Sequence, residues 1–306
     1  MASARKKANH KGAENSGLLR AEVGILGGTG LYEIEGIHNL REVKLKTPFG
    51  DPSDAYVVGR LEGREMAFLS RHGRGHRYLP LEINYRANIY GFKMLGVERV
   101  VSVNSCGSLK QEIKPRDIVI SDQFFDRTHR PNTFFGGGLA AHIGFAHPVC
   151  PGLAGSLFQA GQGLGLRIHP RGTYLCIEGP AFSTKAESSI YRQWGCDVIG
   201  MTAATEAKLC REAEVCYATM NLVTDYDVWH EEEESVSVEL ILQNLRANID
   251  QAKAVIKKTL ASLPAQPDSP CDCGTAIRNV IVTAPHLIPA ETRKKLGLLV
   301  KKYLQC

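Results

Sequence analysis

Short apolar segments alternate with amphipathic, helix-forming segments from residue 22 to about residue 260. The segments rich in apolar and β-branched residues are predicted strands: Glu22–Leu26, Glu65–Ser70, Arg99–Val103, Asp117–Ile120, Gly172–Ile177, Val198–Met201 and Val215–Val223. The predicted helices between them are Leu81–Leu95, Pro151–Gly163, Lys185–Gly195, Ala203–Glu214 and Ser237–Leu263. Several predicted strands are almost wholly apolar, which is typical of strands covered on both faces. The alternation predicts a single-domain α/β fold with a central mixed, largely parallel β-sheet flanked by helices.

A proline-rich segment divides the C-terminal part of the chain from the rest. Residues 264–275 contain Pro264, Pro267, Pro270 and Gly274, a composition that is typical of a linker. We therefore expect a disordered basic tail over residues 1–20 and a main domain over residues 21–263. Residues 264–306 are expected to form the linker and a C-terminal helix, near residues 290–304, that packs on the main domain.

The positive charge of the chain is concentrated at its N-terminus. The formal net charge is +5, and residues 1–20 contribute five Lys or Arg against one Glu, or +4. The remainder shows no basic cluster of the kind that binds nucleic acid. No apolar run approaches the roughly 18 residues that a transmembrane helix needs. Because the first twenty residues also lack the apolar stretch of a signal peptide, a cytoplasmic protein without a membrane or nucleic-acid partner is expected.

The chain has nine cysteines, which is many for a cytoplasmic protein. In the simplest interpretation most of them are small buried hydrophobic side chains. Cys271 and Cys273 are too close for the usual zinc-ligand spacing, and no second pair of Cys or His matches them in the sequence. No metal site is therefore predicted, and a disulfide or redox role for this pair is the alternative.

Two loops that follow predicted strands carry groups suited to an anion. Gly27-Gly28-Thr29-Gly30 lacks the further glycine of a dinucleotide site and the Gly-Lys-Ser/Thr of a nucleoside-triphosphate loop. Its amides and the Thr29 hydroxyl suit a single phosphate, with a plain tight turn as the alternative. In the second loop, Arg71 offers a planar fork that matches phosphate oxygens and His72 adds a donor. A solvated basic loop is the alternative there.

Two further loops contribute small polar groups and an aromatic ring. Asn104 and Ser105 follow a buried strand, and ligands bind at the carboxyl ends of strands in open α/β sheets. These residues suit a second phosphate contact or a ribose contact, with a satisfied polar turn as the alternative. In Glu178–Ser183, Phe182 is predicted either to stack on a planar base or to belong to the core.

Two aspartates follow the last apolar strand. Asp225 and Asp227 are two residues apart, so in an extended chain both face the same side. An ionised aspartate only accepts hydrogen bonds, which suits a purine that offers donors, namely a 6-amino group and a protonated N7. Proton delivery to N7 makes the base a neutral leaving group, which is general acid catalysis. A site for a hard cation is the alternative for this pair.

In this order, these segments resemble the 5′-methylthioadenosine phosphorylases of the trimeric purine nucleoside phosphorylase family. The resemblance covers about residues 22–260. Its motifs are Gly27-Gly28-Thr29-Gly30-Leu31, Thr47-Pro48-Phe49-Gly50, Ser70-Arg71-His72-Gly73, Asn84-Tyr85-Arg86-Ala87-Asn88, Ile177-Glu178-Gly179-Pro180, Gly200-Met201-Thr202 and Thr224-Asp225-Tyr226-Asp227. Each motif alone is weakly specific, whereas the series is highly specific. The resemblance implies phosphorolysis of 5′-methylthioadenosine to adenine and 5-methylthioribose 1-phosphate, with inorganic phosphate as co-substrate and no cofactor or metal.

The resemblance also implies a role for each matching position. The implied phosphate ligands are Thr29, Arg71, His72, Asn104, Ser105 and Thr202. The implied substrate residues are Met201 on the ribose, Phe182 against the base, Ser183 as the specificity position beside the base, Asp225 and Asp227 as catalytic residues at N7 and the 6-amino group, and Val236 and Val238 around the methylthio group. His142 resembles a residue lent to the neighbouring subunit, which implies a homotrimer with shared active sites.

The chain differs from the animal members of this family at a few positions. Asn104-Ser105 stands where they carry Thr-Ala, and Ala181 replaces an arginine beside Phe182. The tail with Cys271 and Cys273 resembles archaeal members, which contain disulfides that include a Cys-x-Cys pair and also cleave adenosine. The alternative function is therefore a broader purine nucleoside phosphorylase that acts also on adenosine or inosine. Outside enzymes, the alternative is a non-catalytic purine- or phosphate-binding protein.

Overall fold

A computed structural model of the chain describes residues 20–28, 31, 34–230, 238–264 and 271–304, and the side chains of all of these except 238–242 and 245. The strands are β1 (Val23–Gly27), β2 (His38–Val43), β3 (Tyr56–Leu61), β4 (Arg64–Ser70), β5 (Arg99–Ser108), β6 (Ile118–Ser121), β7 (Gln123–Asp126), β8 (Ile168–His169), β9 (Thr173–Cys176), β10 (Val198–Gly200) and β11 (Cys216–Asp225). The helices are α1 (Tyr85–Met94), α2 (Pro151–Gln162), α3 (Lys185–Gln193), α4 (Ala203–Glu212), α5 (Val238–Ser262) and α6 (Ala290–Val300). Short 3₁₀ turns cover Asp272–Thr275, Pro285–Leu287 and Lys301–Tyr303.

All these strands belong to one sheet with the order β2-β3-β4-β1-β5-β10-β9-β7, and β11, β6 and β8 branch from β5. Strand β1 is parallel to both of its neighbours, β4 and β5. Strand β5 is also parallel to β11 and antiparallel to β10. Antiparallel pairing is otherwise confined to β2–β3, β3–β4 and β6–β11. The predicted single-domain α/β fold with a mixed, largely parallel sheet is confirmed.

The central strands are buried because apolar residues occupy both of their faces. Every residue of β1 and β6 is buried, and so is every residue of β11 after Cys216. Helices α2 and α5 pack on β11, and α4 also lies against it. A strand covered on both faces holds its carboxyl end in a fixed position, and the polar segments that follow β4, β5, β10 and β11 begin there.

Strands β2, β3, β7 and β8 were not predicted from the sequence. Most of β2 is exposed, β7 alternates between exposed and half-buried residues, and β8 has only two residues. Strand β3 is buried, but Gly59-Arg60 interrupts its apolar run. The predicted helix Leu81–Leu95 is wrong at its start, because Asn84 caps α1 by accepting a hydrogen bond from Ala87 N at 3.1 Å.

The C-terminal segment packs on the rest of the chain through backbone pairing and α6. His142 N donates to Val280 O at 3.1 Å, and Val282 N donates to Ala140 O at 2.8 Å. The described part of the chain contains no helix that is long and apolar enough to cross a membrane. The basic tail up to residue 19 and linker residues 265–270 lie outside the described residues.

Candidate active site

A cavity of about 360 Å³ opens at the carboxyl ends of the central strands. Its walls come from the loop after β4, the end of β5, the segment between β9 and α3, the junction of β10 with α4, and the end of β11. This position is where open α/β sheets bind ligands. Four of the five segments singled out in the sequence therefore meet at one site. In the remaining segment, Thr29 and Gly30 lie outside the described residues.

Arg71 lines the cavity and is almost fully buried. Its Nε and Nη2 donate to the two carboxylate oxygens of the fully buried Glu206. Nη2 also donates to Ser102 Oγ at 2.7 Å, and Nη1 donates to Val103 O at 3.0 Å. The bidentate edge that we expected to meet phosphate is thus bonded to Glu206. A phosphate contact by Arg71 stays a prediction. It depends on the second N–H of Nη1, which none of these hydrogen bonds uses.

His72 lies beside Arg71 and stacks on His76, with the ring centroids 4.2 Å apart. Its Nδ1 is 2.8 Å from Tyr78 O, and because a carbonyl oxygen only accepts, Nδ1 carries the proton. Burial, reinforced by the charge of Arg71, lowers the pKa of His72 from 6.5 to about 4. At neutral pH the ring is therefore uncharged, and Nε2 is an acceptor. The sequence-based expectation that His72 donates to phosphate stays a prediction, and it requires the protonated ring.

The segments after β5 and β10 are joined by side-chain hydrogen bonds. Thr202 Oγ1 donates to Asn104 Oδ1 at 2.8 Å, and Asn104 Nδ2 donates to Ser102 Oγ at 2.9 Å and Thr219 Oγ1 at 2.8 Å. The amide of Asn104 is thus engaged in the core, where it positions Thr202. Ser105 is exposed and lines the cavity.

Thr202 is also the N-cap of α4, so the positive end of this helix lies at the cavity wall. Backbone amides at a helix N-terminus favour an anion. From the sequence, a helix N-terminus that binds an anion is expected only after the glycine loop that follows β1. The described structure instead places it at the junction of β10 and α4.

Both aspartates also line the cavity, but not because they alternate along a strand. The register of β11 shifts between Val223 and Asp225, and Asp227 lies beyond the strand with φ at 55°. Asp225 Oδ1 accepts from Asp227 N at 2.8 Å, and its Oδ2 accepts from Thr224 Oγ1 at 2.7 Å. An Asx turn thus brings the two carboxylates together.

Glycine at position 107 provides the space for this turn. A Cβ atom there would lie 2.9 Å from Asp225 Oδ1 and 3.3 Å from Asp227 Cβ. Any larger residue at this position of β5 would push the aspartates out of place. Gly107 is thus part of the site, although no feature of the local sequence distinguishes it from an ordinary strand glycine.

The carboxylate of Asp227 has an unusual environment. Burial raises its pKa above the ordinary value, and the nearby Ser188, the Val228 amide and Ser183 partly offset this effect. Among the described residues, Asp227 Oδ2 and the hydroxyl oxygens of Ser183 and Ser188 are buried without a partner in full hydrogen-bond geometry. Buried polar atoms without partners are uncommon. This corner therefore offers one acceptor and two hydroxyls to a polar ligand.

The wall between the two polar regions is apolar. Met201, Ile177 and Ile199 line it, and the ring of Phe182 lies at its edge with 53% of the residue exposed. An exposed aromatic ring beside a cavity is suited to stack on a planar ligand. Gly179 has φ at 70°, and a Cβ there would lie 2.5 Å from Met201 Sδ, so only glycine fits behind the methionine.

Three predicted site residues are not brought to this cavity by the described structure. Val236 lies outside the described residues, and of Val238 only the backbone, at the start of α5, is described. His142 is exposed and does not line the cavity of its own chain. Conversely, we did not predict His76, Ser188 or Glu206. Only Glu206 has a local signal, since it is an acidic residue within the otherwise uncharged stretch 203–207 of a predicted helix.

Comparison with known proteins identifies the family. Residues 22–261 match the model of the phosphorylase superfamily. S-methyl-5′-thioadenosine phosphorylase from Thermosynechococcus vestitus is 54% identical over 290 residues, which are 94% of this chain and 100% of that protein. The enzyme of the same name from Koribacter versatilis is 52% identical over 286 residues, covering 93% and 97% of the two chains. A crystal structure of methylthioadenosine phosphorylase from an antarctic soil metagenomic library has a TM-score of 0.87 and 47% identity, with 92% of this chain and 99% of that chain covered. The chain therefore belongs to the phosphorylase superfamily and, within it, to the S-methyl-5′-thioadenosine phosphorylase family.

Proposed function

We propose that this chain catalyses the phosphorolysis of 5′-methylthioadenosine to adenine and 5-methylthioribose 1-phosphate. The observation that carries the proposal is a single cavity with two unlike polar regions. Arg71 and the N-terminus of α4 suit an anion, and the carboxylate of Asp227, whose pKa burial raises, suits a base. The volume of about 360 Å³ is in the range of small-ligand sites.

The phosphate is the nucleophile of the proposed reaction. An oxygen of HPO₄²⁻ forms a bond to C1′ of the ribose while the bond from C1′ to N9 of the base breaks. The ribose gains positive charge in the transition state, and the adjacent phosphate dianion stabilises it. Ser105, Thr202 and the amides at the start of α4 hold the phosphate in this proposal. The reaction requires no cofactor, because both the nucleophile and the leaving group belong to the substrates.

The leaving base takes the electron pair of the broken bond and becomes neutral when N7 gains a proton. We assign Asp227 to this proton transfer, because burial raises its pKa and its Oδ2 is available for a donor. Asp225 holds Asp227 N and faces the same region. Phe182 stacks on the base, and Ser183 lies beside it.

The preference for a methylthio group at the 5′ position of the ribose is proposed from the similarity to known proteins. Relatives that are about half identical over almost the whole chain are methylthioadenosine phosphorylases. Of the expected walls of this pocket, Val238 begins α5, and Val236 lies outside the described residues. The location of the enzyme in the cytoplasm stays a prediction from the sequence.

Phosphate-dependent base release tests the proposal directly. We expect turnover of methylthioadenosine to require phosphate and to exceed turnover of inosine by about 10²-fold or more, because a 6-oxo group offers no donor to the carboxylates. Adenosine is the third substrate of the assay, since it separates selectivity for the base from selectivity for the 5′ group. Equal turnover of inosine, or adenine release without phosphate, contradicts the proposal.

His72 is expected to discriminate phosphate from sulfate. At neutral pH its Nε2 is an acceptor, HPO₄²⁻ has an O–H to donate, and sulfate has none. A hydrogen bond to a charged group contributes about 1.5–3 kcal/mol, so sulfate should bind roughly 10- to 100-fold more weakly. In His72→Ala this ratio should approach one, whereas His286→Ala, at an exposed site of the C-terminal segment, should keep it. Equal affinity of the wild-type protein for both anions, measured by competition, excludes this role.

We also propose a homotrimer with active sites shared between subunits. The exposed rings of Phe125 and Trp194 pack on each other with centroids 5.0 Å apart, and Ile190 on α3 is also exposed. Such an apolar surface is typical of an interface between subunits. His142, exposed and away from its own cavity, would contact the neighbouring site.

A further inference from the structure

Four cysteines from three distant parts of the chain meet at one point outside the cavity. They are Cys150, Cys216, Cys271 and Cys273, and their sulfur atoms all lie within 4.8 Å of one another. The Sγ atoms of Cys216 and Cys271 are 3.5 Å apart. The sequence offered no partner pair for Cys271 and Cys273, and the fold supplies one from the start of α2 and the start of β11.

The spacing of the sulfurs fits a tetrahedral metal site. A Zn–S bond of about 2.3 Å places the sulfurs of a tetrahedron about 3.8 Å apart. The separation of 3.5 Å between Cys216 and Cys271 is close to this value, and no pair of the four sulfurs is more than 4.8 Å apart. A disulfide would instead join the sulfurs in pairs at about 2.05 Å. Convergence of all four thiols on a common centre is what a metal ion requires.

The surroundings of the cluster favour thiolates. Cys150 is the N-cap of the twelve-residue helix α2, and the positive end of a helix stabilises a thiolate. Arg211 Nη1 donates to Cys273 Sγ at 3.9 Å and adds a positive charge. Cys150 and Cys273 are buried, whereas Cys216 and Cys271 are half-buried, so an ion can enter from the surface.

We propose that these four cysteines bind one Zn²⁺ ion as a structural site. Four thiolates complete the coordination of zinc and leave no open position, which is the arrangement of structural rather than catalytic sites. Binding releases the protons of the four thiols to solvent and leaves a centre with a charge of −2, which Arg211 partly offsets. The site is independent of the proposed phosphorolysis, because none of its ligands lines the cavity.

The ion would fix the C-terminal segment to the core. Beyond Cys273, Ile277 N donates to Glu214 Oε1 at 3.0 Å, and residues 280–282 pair with residues 140–142. Anchoring residues 271–273 to α2 and β11 therefore also holds the segment that carries His142. Loss of the metal should loosen this segment first.

The metal content of the full chain tests the proposal. Protein produced with added zinc and purified under reducing conditions without chelator should contain one zinc per chain by elemental mass spectrometry. A mercurial that blocks thiols should release it. Protein refilled with Co²⁺ should show the intense visible absorption of a tetrahedral thiolate complex. A purified chain that contains no metal overturns the proposal, and so does a chain whose mass shows two disulfides among these cysteines. Iron in an equimolar amount overturns the assignment to zinc.

Variants locate the site without relying on activity. The double variant Cys271→Ser/Cys273→Ser should lose the zinc and unfold at a lower temperature. Cys196→Ala is the matched control, because this buried cysteine lies in a separate apolar cluster with Leu109 and Ile199. If the double variant retains zinc, or if the control loses it, the metal binds elsewhere and the proposed four-cysteine site is excluded.

Discussion

Asp227→Asn should lower the turnover of methylthioadenosine by about 10²- to 10⁴-fold, the range that positioned general acids contribute. The amide cannot deliver a proton to N7, so the leaving base is not neutralised. Binding of phosphate should change little, since phosphate is assigned to Ser105, Thr202 and the start of α4 and not to Asp227. The effect should therefore fall on kcat rather than on the KM for phosphate.

The same substitution should stabilise the folded protein at neutral pH. Burial raises the pKa of Asp227 in the folded state, so its ionised form is disfavoured there relative to the unfolded chain. Stability is therefore lost in the wild-type protein as the pH rises from the unfolded pKa of 3.8 through the raised folded pKa. Asparagine stays neutral and escapes this loss. The variant should have the higher Tm at pH 7, and the difference should shrink towards pH 4.

Steady-state kinetics and thermal unfolding at several pH values check both expectations. Asp51→Asn is the control, because Asp51 is exposed and does not line the cavity, and it should change neither quantity. A variant with unchanged kcat removes Asp227 from proton transfer. A lower Tm at pH 7 would instead mean that Ser183 and Ser188 stabilise the carboxylate more than burial penalises it.

Glu206→Gln should destabilise the protein by about 3–5 kcal/mol, the usual cost of breaking a buried ion pair by removal of one partner. Arg71 has 3% of its side chain exposed and Glu206 none. Burial lowers the pKa of Arg71, but the charge of Glu206 outweighs burial and the net pKa is raised. Because an arginine is not deprotonated in proteins, the guanidinium stays charged in the variant, without its counter-charge. The bonds that Glu206 accepts from Ser102 and Tyr217 are also weakened.

A second glutamate of α4 provides the matched control. Glu212 is also buried, but Thr133 and the Phe134 amide hold it, and burial raises its pKa to about 7. Because the partners of Glu212 are a hydroxyl and an amide and not a buried cation, Glu212→Gln should cost much less. Chemical denaturation with and without phosphate separates the outcomes. Phosphate should stabilise Glu206→Gln more than the wild-type protein, since it restores a negative charge near Arg71. Equal destabilisation by the two variants contradicts the ion-pair argument.

The fold could be predicted as far as local patterns reach. The wholly buried strands β1, β6 and β11 have continuous apolar runs, and their positions were predicted to within two residues. Helices α2, α3 and α4 were predicted equally well. The predictions failed at β2 and β7, because an exposed strand is held by pairing with its neighbours and needs no apolar run of its own.

The segments that form the site could be predicted from the sequence, but the arrangement of their side chains and hydrogen bonds could not. Arg71, His72, Asp225 and Asp227 were identified and do line one cavity. Their hydrogen-bond partners were not predicted, since the bidentate edge of Arg71 meets Glu206 and Nδ1 of His72 meets Tyr78 O. Neither partner can be identified from the local sequence pattern.

By itself, the sequence determined the helices and most of the buried strands, because the period of apolar residues records which faces are buried. It also determined the chemistry available at each loop. The tertiary structure alone decided which groups meet. Glu206 is 135 residues from Arg71, and Cys150 is more than a hundred residues from Cys271. Hydrogen bonds and metal coordination act over a few ångströms of space whatever the separation along the chain, so their partners are set by how the sheet and helices pack.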